Sequence, residues 1–385
     1  MQYRTMGKLG VRTSAFGLGC MRFNGEAKGD GTIDEEKAVA LIRQAIDGGV
    51  TYLDTAYVYL NKTSETVVGK ALQDGYREKV TVATKMPLGF VKDRESMEAL
   101  LDEELRKLQT DHIDFYLMHG IDRNEWEKFK AIGAPKFFDD MKREGKIRFK
   151  CFSFHGPYED FAYILNDYDW DMVQIQYNFM DVENQAGTRG LKLAAEKGIP
   201  VVVMEGLLGG RLSHAPENVQ ALYDAFPVKR SPVEWAFRWL CSHPEVSVVL
   251  SGCNEPAQVE ENLRIFDGAA PGCMDDAELQ LMDNVRAAYL DRTKIGCTGC
   301  KYCMPCPNGV EIPGIFSAWN NVSLYCTDPA KDRRLQRIRE NGAGADSCIG
   351  CGACEAACPQ HLPIVRRLRQ AWDELFRTDC PVTDG

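Results

Sequence analysis

The sequence contains no uninterrupted apolar run of about 18 residues, the length that a membrane-spanning helix needs. It also lacks a basic excess: 46 lysines and arginines face 56 acidic residues, which disfavours general nucleic-acid binding. Residues 1–8 show neither the apolar segment nor the cleavage site of a signal peptide. We therefore expect a cytoplasmic protein with neither a membrane nor a nucleic-acid partner.

The composition indicates a folded chain with a large core. Of its 385 residues, 44% are hydrophobic and 26% are charged, which excludes disordered and collagen-like proteins. This length accommodates one large domain and a small one. No internal repeat of 20–50 residues occurs beyond the alternation described next.

Short apolar runs alternate with amphipathic segments from about residue 15 to about residue 290. Eight of the runs are typical of buried strands: Ala15–Leu18, Thr51–Asp54, Val80–Lys85, Ile113–Met118, Ile147–Phe152, Met172–Ile175, Pro200–Met204 and Ser247–Leu250. Eight strands that alternate with helices predict a (β/α)8 barrel, the TIM-barrel fold. An open doubly wound sheet is the alternative, but no GxGxxG phosphate turn follows the first strand.

Two features of the intervening helical segments give local expectations. Thr32 and Glu35 form a capping-box pattern ahead of the first helix. Glu103 and Lys107 lie four residues apart and are expected to form an exposed ion pair on a later one.

Polar residues end several of the predicted strands, and that end of a barrel carries its chemistry. Asp54, Lys85, His119 and Gln174 are such strand ends, and Tyr59 follows the second strand. A carboxylate keeps a neighbouring ammonium charged, and an ammonium lowers the pKa of a nearby phenol from its usual value of about 10. An imidazole can orient a carbonyl or share its proton. Such a set suits carbonyl reduction, in which hydride reaches carbon while a proton reaches oxygen.

Three stretches of the sequence resemble the signature of the aldo-keto reductase superfamily: Leu53–Tyr59, Val82–Lys85 and Tyr116–His119. Their order and spacing match the catalytic tetrad of that family, and the resemblance covers residues 1 to about 290. It implies that Tyr59 is the general acid/base and that Lys85 lowers its pKa. It also implies that Asp54 pairs with Lys85 and that His119 orients an aldehyde or ketone substrate.

The same resemblance implies a nicotinamide dinucleotide, NADH or NADPH, bound without a Rossmann fold. The implied contacts are Met21, Asp54, Ser153, Gln174, Met204, Gly206, Leu207, Arg211, Ser251, Gly252, Gln258 and Asn262. Ser153 and Gln174 match the family's carboxamide contacts, and Asn262 matches its adenine contact. The segment Glu205–Arg211 resembles the pyrophosphate loop, and Ser251–Asn254 opens the adenosine segment.

The chain departs from the family pattern at three places. Phe154 stands where Asn often follows the serine, and Met204 stands where many members stack an aromatic ring on the nicotinamide. No Lys or Arg occurs from Trp239 to Leu263, and Gln258 stands where an arginine is common. Because a 2′-phosphate needs cationic partners, this favours NADH, unless Arg211 or Arg264 supplies the charge.

Cysteine is abundant, and nine of the 15 cysteines lie between Cys297 and Cys358. In a reducing compartment, clustered thiols indicate metal binding or catalysis. Residues 297–307 read C-x2-C-x2-C-x2-C-P, and residues 348–359 read C-x2-C-x2-C-x3-C-P. The second pattern is that of bacterial ferredoxins, in which the fourth cysteine ligates the other cluster, and the first is one residue shorter in its last gap.

We therefore predict two [4Fe-4S] clusters in a ferredoxin-like domain over residues 291–385, after a barrel over residues 1–290. The predicted ligands of one cluster are Cys297, Cys300, Cys303 and Cys358. Those of the other are Cys306, Cys348, Cys351 and Cys354. Zinc is the alternative, but zinc sites need two pairs of cysteines rather than two runs of four.

The two predicted domains leave three hypotheses for function. The first, which we favour, is an NAD(P)H-dependent carbonyl reductase with structural or electron-transferring clusters. The second is an iron–sulfur electron-transfer protein that works through a flavin or a partner, although no flavin motif is recognisable. The third is a non-catalytic redox sensor that binds nicotinamide.

The basic run Lys331–Arg339 is either a solvated helix face or a docking patch for an acidic electron carrier.

Overall fold

The computed structural model describes residues 1–23 and 33–376. Its strands are β1 (Tyr3–Thr5), β2 (Arg12–Ser14), β3 (Phe16–Gly19), β4 (Tyr52–Asp54), β5 (Thr81–Met86), β6 (Ile113–Ile121), β7 (Ile147–Phe154), β8 (Met172–Gln176), β9 (Val201–Met204) and β10 (Val246–Ser251). Strands β3 to β10 are parallel and close into a barrel in chain order, with β10 beside β3. This confirms the predicted (β/α)8 barrel, and each predicted strand overlaps an observed one.

Helices connect the barrel strands and continue beyond them. They are α1 (Glu35–Asp47), α2 (Ser64–Ala71), α3 (Arg94–Leu108), α4 (Arg123–Ala131), α5 (Ala134–Arg143), α6 (Tyr158–Asp167), α7 (Gly187–Glu196), α8 (Glu217–Ala225), α9 (Pro232–Ser242), α10 (Pro256–Asp267), α11 (Asp276–Leu290), α12 (Ile312–Tyr325), α13 (Arg333–Glu340), α14 (Ala353–Ala356) and α15 (Ile364–Phe376). In the described part of the chain, none of them combines the length and the apolar character that crossing a membrane requires.

The N-terminal hairpin closes one end of the barrel. Strands β1 and β2 pair antiparallel, and the segment between them carries Met6 and Val11 into the apolar interior, against Tyr52 and Phe115. Side chains therefore fill the barrel interior at this end. The polar strand-end residues Asp54, Lys85, His119 and Gln174 lie at the opposite end, where the strands have their carboxyl ends.

The start of α1 and the surroundings of Lys107 differ from the local expectations for these helices. Thr32 lies outside the described residues, and the observed cap of α1 is Asp34, whose side chain accepts a hydrogen bond from the Lys37 amide at 3.2 Å. Lys107 does pair with Glu103, at 3.1 Å, but its side chain is buried rather than exposed. Glu65 of α2 and the ring of Tyr57 cover it, contacts between segments that spacing along α3 does not reveal.

The chain divides into two compact units, one of residues 1–210 and 233–279 and the other of residues 211–232 and 280–385. The first holds the barrel. The second has its own apolar core around Phe316 and Trp319 of α12, Leu335 of α13 and Leu368 of α15. Six of the eight predicted cluster cysteines pack against that core: Cys297, Cys303, Cys306, Cys348, Cys354 and Cys358.

Candidate active site and candidate cluster sites

Three of the predicted catalytic residues meet around one buried ammonium. Lys85, on β5, is 1% exposed, and its Nζ donates to Asp54 Oδ1 at 2.6 Å and to Tyr59 Oη at 3.3 Å. A third donation, to the Thr55 carbonyl at 2.8 Å, completes the three hydrogen bonds of an ammonium. His119, on β6, meets the Tyr59 ring edge-on, with 5.9 Å between the ring centroids. The adjacent ends of β4, β5 and β6 thus bring the four residues together.

The turn after β4 presents the Tyr59 hydroxyl to Lys85. The Tyr59 amide donates to the Ala56 carbonyl at 3.1 Å, which closes the turn. The hydroxyls of Thr55 and Ser64 hydrogen bond at 2.8 Å, and Ser64 also donates to the Cys20 carbonyl at 2.7 Å. These bonds attach the start of α2 to the ends of β3 and β4, so the position of Tyr59 is fixed from both sides of the turn.

Charge in this cluster is set by burial and by the ion pair. Burial alone would lower the pKa of Lys85, but the Asp54 carboxylate and the Tyr59 hydroxyl raise it above its usual value. Burial raises the pKa of Tyr59, and Lys85 opposes this only in part. Lys85 therefore acts on the Tyr59 pKa in the expected direction, but desolvation of the phenolate outweighs its effect. The phenol stays protonated at neutral pH.

His119 is neutral in this environment. Burial, with smaller contributions from Lys85 and His155, lowers the pKa of His119 to about 3. A neutral imidazole carries one donor and one acceptor, so it can orient a substrate oxygen without adding charge. Together, a protonated phenol that accepts a hydrogen bond from an ammonium and an adjacent neutral imidazole can deliver a proton to an oxygen atom.

The two predicted carboxamide contacts lie side by side, since Ser153 of β7 pairs in register with Gln174 of β8. The Ser153 hydroxyl accepts from the Gly120 amide at 2.7 Å, which leaves its own proton to donate. The Gln174 side chain reaches Met204 Sδ at 3.8 Å and also interacts with Asp54, while its carboxamide oxygen is buried without a donor. One donor and one acceptor are what a nicotinamide carboxamide needs, so these residues fit the group.

The predicted adenosine contacts are in part occupied by structural hydrogen bonds. Buried Asn262 donates to Ser251 Oγ and to Cys253 Sγ, each at 3.1 Å. The Gln258 carboxamide accepts from the amides of Asn254 and Glu255 at 2.9 and 3.3 Å and so caps α10. Asn262 and Ser251 therefore lie together, Gln258 Oε1 caps α10, and the cofactor contacts expected of these residues stay predictions.

The predicted pyrophosphate loop is tight and glycine-rich. Gly206 packs so closely that an added Cβ would lie 2.8 Å from Leu240, and Gly209 has a φ of 67°. Met21 and Leu207 are exposed and partly exposed residues of neighbouring loops. Arg211 belongs to the second compact unit, where its guanidinium carbon lies 6.0 Å from the centre of the Tyr325 ring. Its predicted cofactor contact stays a prediction.

Arg22, which belongs to none of the sequence motifs, lies where these loops meet. Its Nη2 lies 3.7 Å from the point that a Cβ on Gly209 would occupy, and its Cβ and Cδ lie 3.6 Å from the corresponding point on Gly252. It forms no ion pair with any residue that the structure describes. The sequence does show a cationic residue three positions after the end of β3. It does not show which distant loops that residue contacts.

The eight motif cysteines line two recesses in the second unit. One is lined by Cys297, Cys300, Cys303 and Cys358. The other is lined by Cys306, Cys348, Cys351 and Cys354. Buried Ile312 lines both. Among the described residues, no three potential ligands gather tightly enough for a single metal ion. Four thiols around a cavity fit a cubane cluster.

The basic run forms the amphipathic helix α13. Leu335 and Ile338 pack into the core of the second unit, and Arg334 pairs with Glu311 at 2.8 Å. Arg333 and Arg337 are exposed.

Comparison with known proteins agrees with this architecture. Residues 15–271 match the aldo/keto reductase family, and residues 296–363 match the 4Fe-4S dicluster domain. The oxidoreductase YqkF of Bacillus subtilis (strain 168) is 27% identical over 296 residues, which cover 69% of this chain and 90% of that protein. L-galactose dehydrogenase of Arabidopsis thaliana is 28% identical over 284 residues, which cover 68% and 87%.

A solved structure shows the same fold. The aldo-keto reductase AKR11C1 from Bacillus halodurans, in its holo form, superposes with a TM-score of 0.63 at 27% identity, covering 74% of this chain and 96% of that one. The family match spans more than half of the chain, and the barrel has the expected eight strands. The chain therefore belongs to the aldo/keto reductase family of oxidoreductases and carries a 4Fe-4S domain after its barrel.

Proposed function

We propose that this protein reduces an aldehyde or ketone with NAD(P)H and that Tyr59 donates the proton. The observation that carries the proposal is the 3.3 Å hydrogen bond from buried Lys85 Nζ to Tyr59 Oη, with Asp54 bound to the same ammonium. Bound NAD(P)H would supply hydride to the carbonyl carbon. Because Tyr59 Oη accepts from Lys85, its own proton is free for the carbonyl oxygen.

Each member of the cluster then has a task. As the proton leaves, Lys85 stabilises the negative charge that develops on the phenol oxygen. Asp54 keeps Lys85 charged and in place. Neutral His119, beside the Tyr59 ring, donates to the substrate oxygen and holds it near the phenol.

The test of this proposal is a panel of aldehydes and ketones offered to anaerobically purified protein with NADH or NADPH. Oxidation of the dinucleotide that depends on the added carbonyl supports it. Absence of such oxidation across the panel, with a tightly bound dinucleotide demonstrated by calorimetry, would favour a sensor instead.

We propose that different residues bind each part of the dinucleotide. Ser153 and Gln174 would hold the carboxamide, the loop Glu205–Gly210 with Arg22 the pyrophosphate, and Asn262 the adenine. We propose NADH over NADPH, since residues 239–263 lack a cation and Arg264 is already paired with Glu234 at 2.9 Å.

We expect Arg22→Ala to weaken dinucleotide binding about tenfold, because a charge-assisted contact to phosphate is lost. The loss should be equal for NADH and NADPH if Arg22 faces the pyrophosphate. Calorimetric titration of each dinucleotide measures it, with Arg12→Ala, an exposed arginine of the hairpin at the other end of the barrel, as the matched control. Unchanged affinity would exclude Arg22 from the site, and a loss confined to NADPH would assign it to the 2′-phosphate.

We propose further that each cysteine recess holds one [4Fe-4S] cluster. Such a cluster would supply one-electron exchange. Cys300 and Cys351 are exposed, so one corner of each site faces solvent, where an external electron carrier can approach. The exposed arginines of α13 make it a candidate docking face for an acidic carrier.

Since free thiols are needed as ligands, we propose a reducing compartment, the cytoplasm, as the location.

The pairing of the two motifs can be tested by non-additivity. Cys297→Ala should remove one cluster, roughly four of the eight iron atoms. The double variant Cys297→Ala/Cys358→Ala should lose no more iron than the single one, whereas Cys297→Ala/Cys306→Ala should lose both clusters. Iron and sulfide assays on anaerobically purified protein measure this, with Cys326→Ala, outside both recesses, as control. If instead Cys297→Ala/Cys358→Ala loses both clusters and Cys297→Ala/Cys306→Ala loses only one, Cys306 ligates the same cluster as Cys297, Cys300 and Cys303.

A further inference from the structure

An unusual turn follows Tyr59 and places a lysine on the rim of the barrel. Leu60, Asn61 and Lys62 have φ values of 50°, 53° and 70°, three consecutive non-glycine residues in the left-handed region. Residues other than glycine rarely adopt this backbone conformation, so contacts with the surrounding structure must stabilise the turn. The amide and hydroxyl of Thr63 both donate to the Leu60 carbonyl, at 3.1 and 2.5 Å.

The turn sets the Lys62 ammonium over two aromatic rings. Its Nζ lies 4.4 Å from the centre of the Phe90 ring and 5.0 Å from that of Tyr57, and these two rings meet edge-on at 5.1 Å. Phe90 follows β5 and Lys62 follows β4, so both lie at the strand ends that carry Tyr59 and Lys85. Lys62 therefore lies on the same rim as the proposed proton donor.

Lys62 is an exposed cation that is paired with no acidic group in the described part of the chain. It forms no ion pair with any described residue, in a chain of net charge −10. The two other charged groups that contact Tyr57, Glu103 and Lys107, pair with each other at 3.1 Å. Inside the site, Lys85 is bound to Asp54 and His119 is neutral, so neither offers a free positive charge to a substrate.

Exposed apolar side chains occur on this rim, one on Phe90 and one in the turn after β4. Phe90 is 45% exposed and Val58 is 38% exposed, both unusually high for large hydrophobic side chains in this barrel. A cation next to exposed apolar surface complements a molecule that has an apolar body and an anionic end. In an acidic protein, such a local cation is also what offsets the repulsion that an anion meets on approach.

We infer that Lys62 binds the anionic group of the substrate, and that the preferred substrates are carbonyl compounds that carry a carboxylate beyond an apolar or aromatic segment. Phe90 contacts that segment, and Lys62 attracts the carboxylate to the rim. This inference rests on the proposed carbonyl reduction and adds its substrate class.

The test compares 4-carboxybenzaldehyde with 4-methylbenzaldehyde, which differ in charge at one end. In the wild type, kcat/KM should favour the carboxylate, and the preference should fall as salt is added. Lys62→Met should reduce the ratio of the two kcat/KM values roughly fivefold, through KM for the acid, while the neutral aldehyde changes little. Lys62→Arg should retain the preference.

The matched control is Lys79→Met. Lys79 also lies over an aromatic ring, with Nζ 4.1 Å from the centre of Tyr76, but it precedes β5 and so lies at the opposite end of the barrel. This variant should leave the ratio unchanged. If Lys62→Met lowers kcat/KM for both aldehydes equally, Lys62 only supports the turn and the inference is wrong.

A binding measurement separates this inference from the proposed function. Calorimetric titration with benzoate and with benzyl alcohol should show Lys62→Met weakening benzoate binding alone. If the wild type reduces neither aldehyde but binds benzoate through Lys62, carbonyl reduction fails and the anion site stands. If it reduces both aldehydes without preference and Lys62→Met binds benzoate as the wild type does, the anion site fails and the reductase stands.

Discussion

Tyr59→Phe should reduce the rate of carbonyl reduction by at least about a hundredfold, since a positioned general acid typically contributes that much or more. The substitution removes one oxygen atom and leaves the ring that meets His119 edge-on. Dinucleotide affinity should stay within twofold of the wild type, because the proposed carboxamide contacts lie on β7 and β8. Single-turnover kinetics and a binding titration measure the two quantities separately.

Tyr57→Phe is the matched control, since that hydroxyl donates to Glu103 at 3.2 Å and does not reach Lys85. It should keep nearly full activity.

The pH dependence of the reduction rate adds a second readout. Because the pKa of Tyr59 is raised, the donor is protonated throughout the neutral range, and the rate should fall only above a pH of about 10. His119, with a pKa of about 3, should give no acidic limb near neutrality. Full activity of Tyr59→Phe would refute the mechanism.

Lys85→Met should both abolish reduction and destabilise the barrel by about 3–5 kcal/mol. The reason is that Asp54, 3% exposed, would lose the ammonium 2.6 Å away and would have to hold an uncompensated buried charge or take up a proton. Denaturant unfolding measures the free energy of unfolding, and the carbonyl assay measures the activity. Adding Asp54→Asn to Lys85→Met should restore much of the stability, because the uncompensated charge is gone, but none of the activity.

Lys107→Met provides the control for a buried ion pair outside the site. Lys107 pairs with Glu65 at 3.5 Å and with Glu103 at 3.1 Å, and it is 9% exposed. We expect a comparable loss of stability with activity retained in the protein that stays folded. A Lys85→Met variant as stable as the wild type, or a Lys107→Met variant equally inactive, would show that the ion pair at Asp54 has no special role.

Much of the fold could be predicted because the signals are local. The strands are buried on both faces, so each appears as a short apolar run such as Val201–Met204, and eight such runs specify the barrel. The polar ends of β4, β5 and β6 were visible for the same reason, as Asp54, Lys85 and His119 interrupt apolar surroundings. The spacing of the cysteine motifs predicted the two sets of four thiols that line the recesses.

Other properties of the site depend on contacts between segments far apart in the chain. The net pKa of Tyr59 depends on how deeply the ring is buried, and the sequence shows only that a lysine is near. Lys107 has the spacing of an exposed residue, yet α2 and Tyr57 cover it. In both cases, burial by distant segments decides the property.

The sequence by itself determined the barrel, the order of the four tetrad residues and the two cysteine motifs, because periodicity and spacing are covalent properties of the chain. The tertiary structure alone decided that Arg22 meets Gly209 and Gly252, that Lys62 lies over Phe90, and that the phenol of Tyr59 keeps its proton. These depend on which loops approach one another and on how much water the packing excludes, and both are set by the folded chain as a whole.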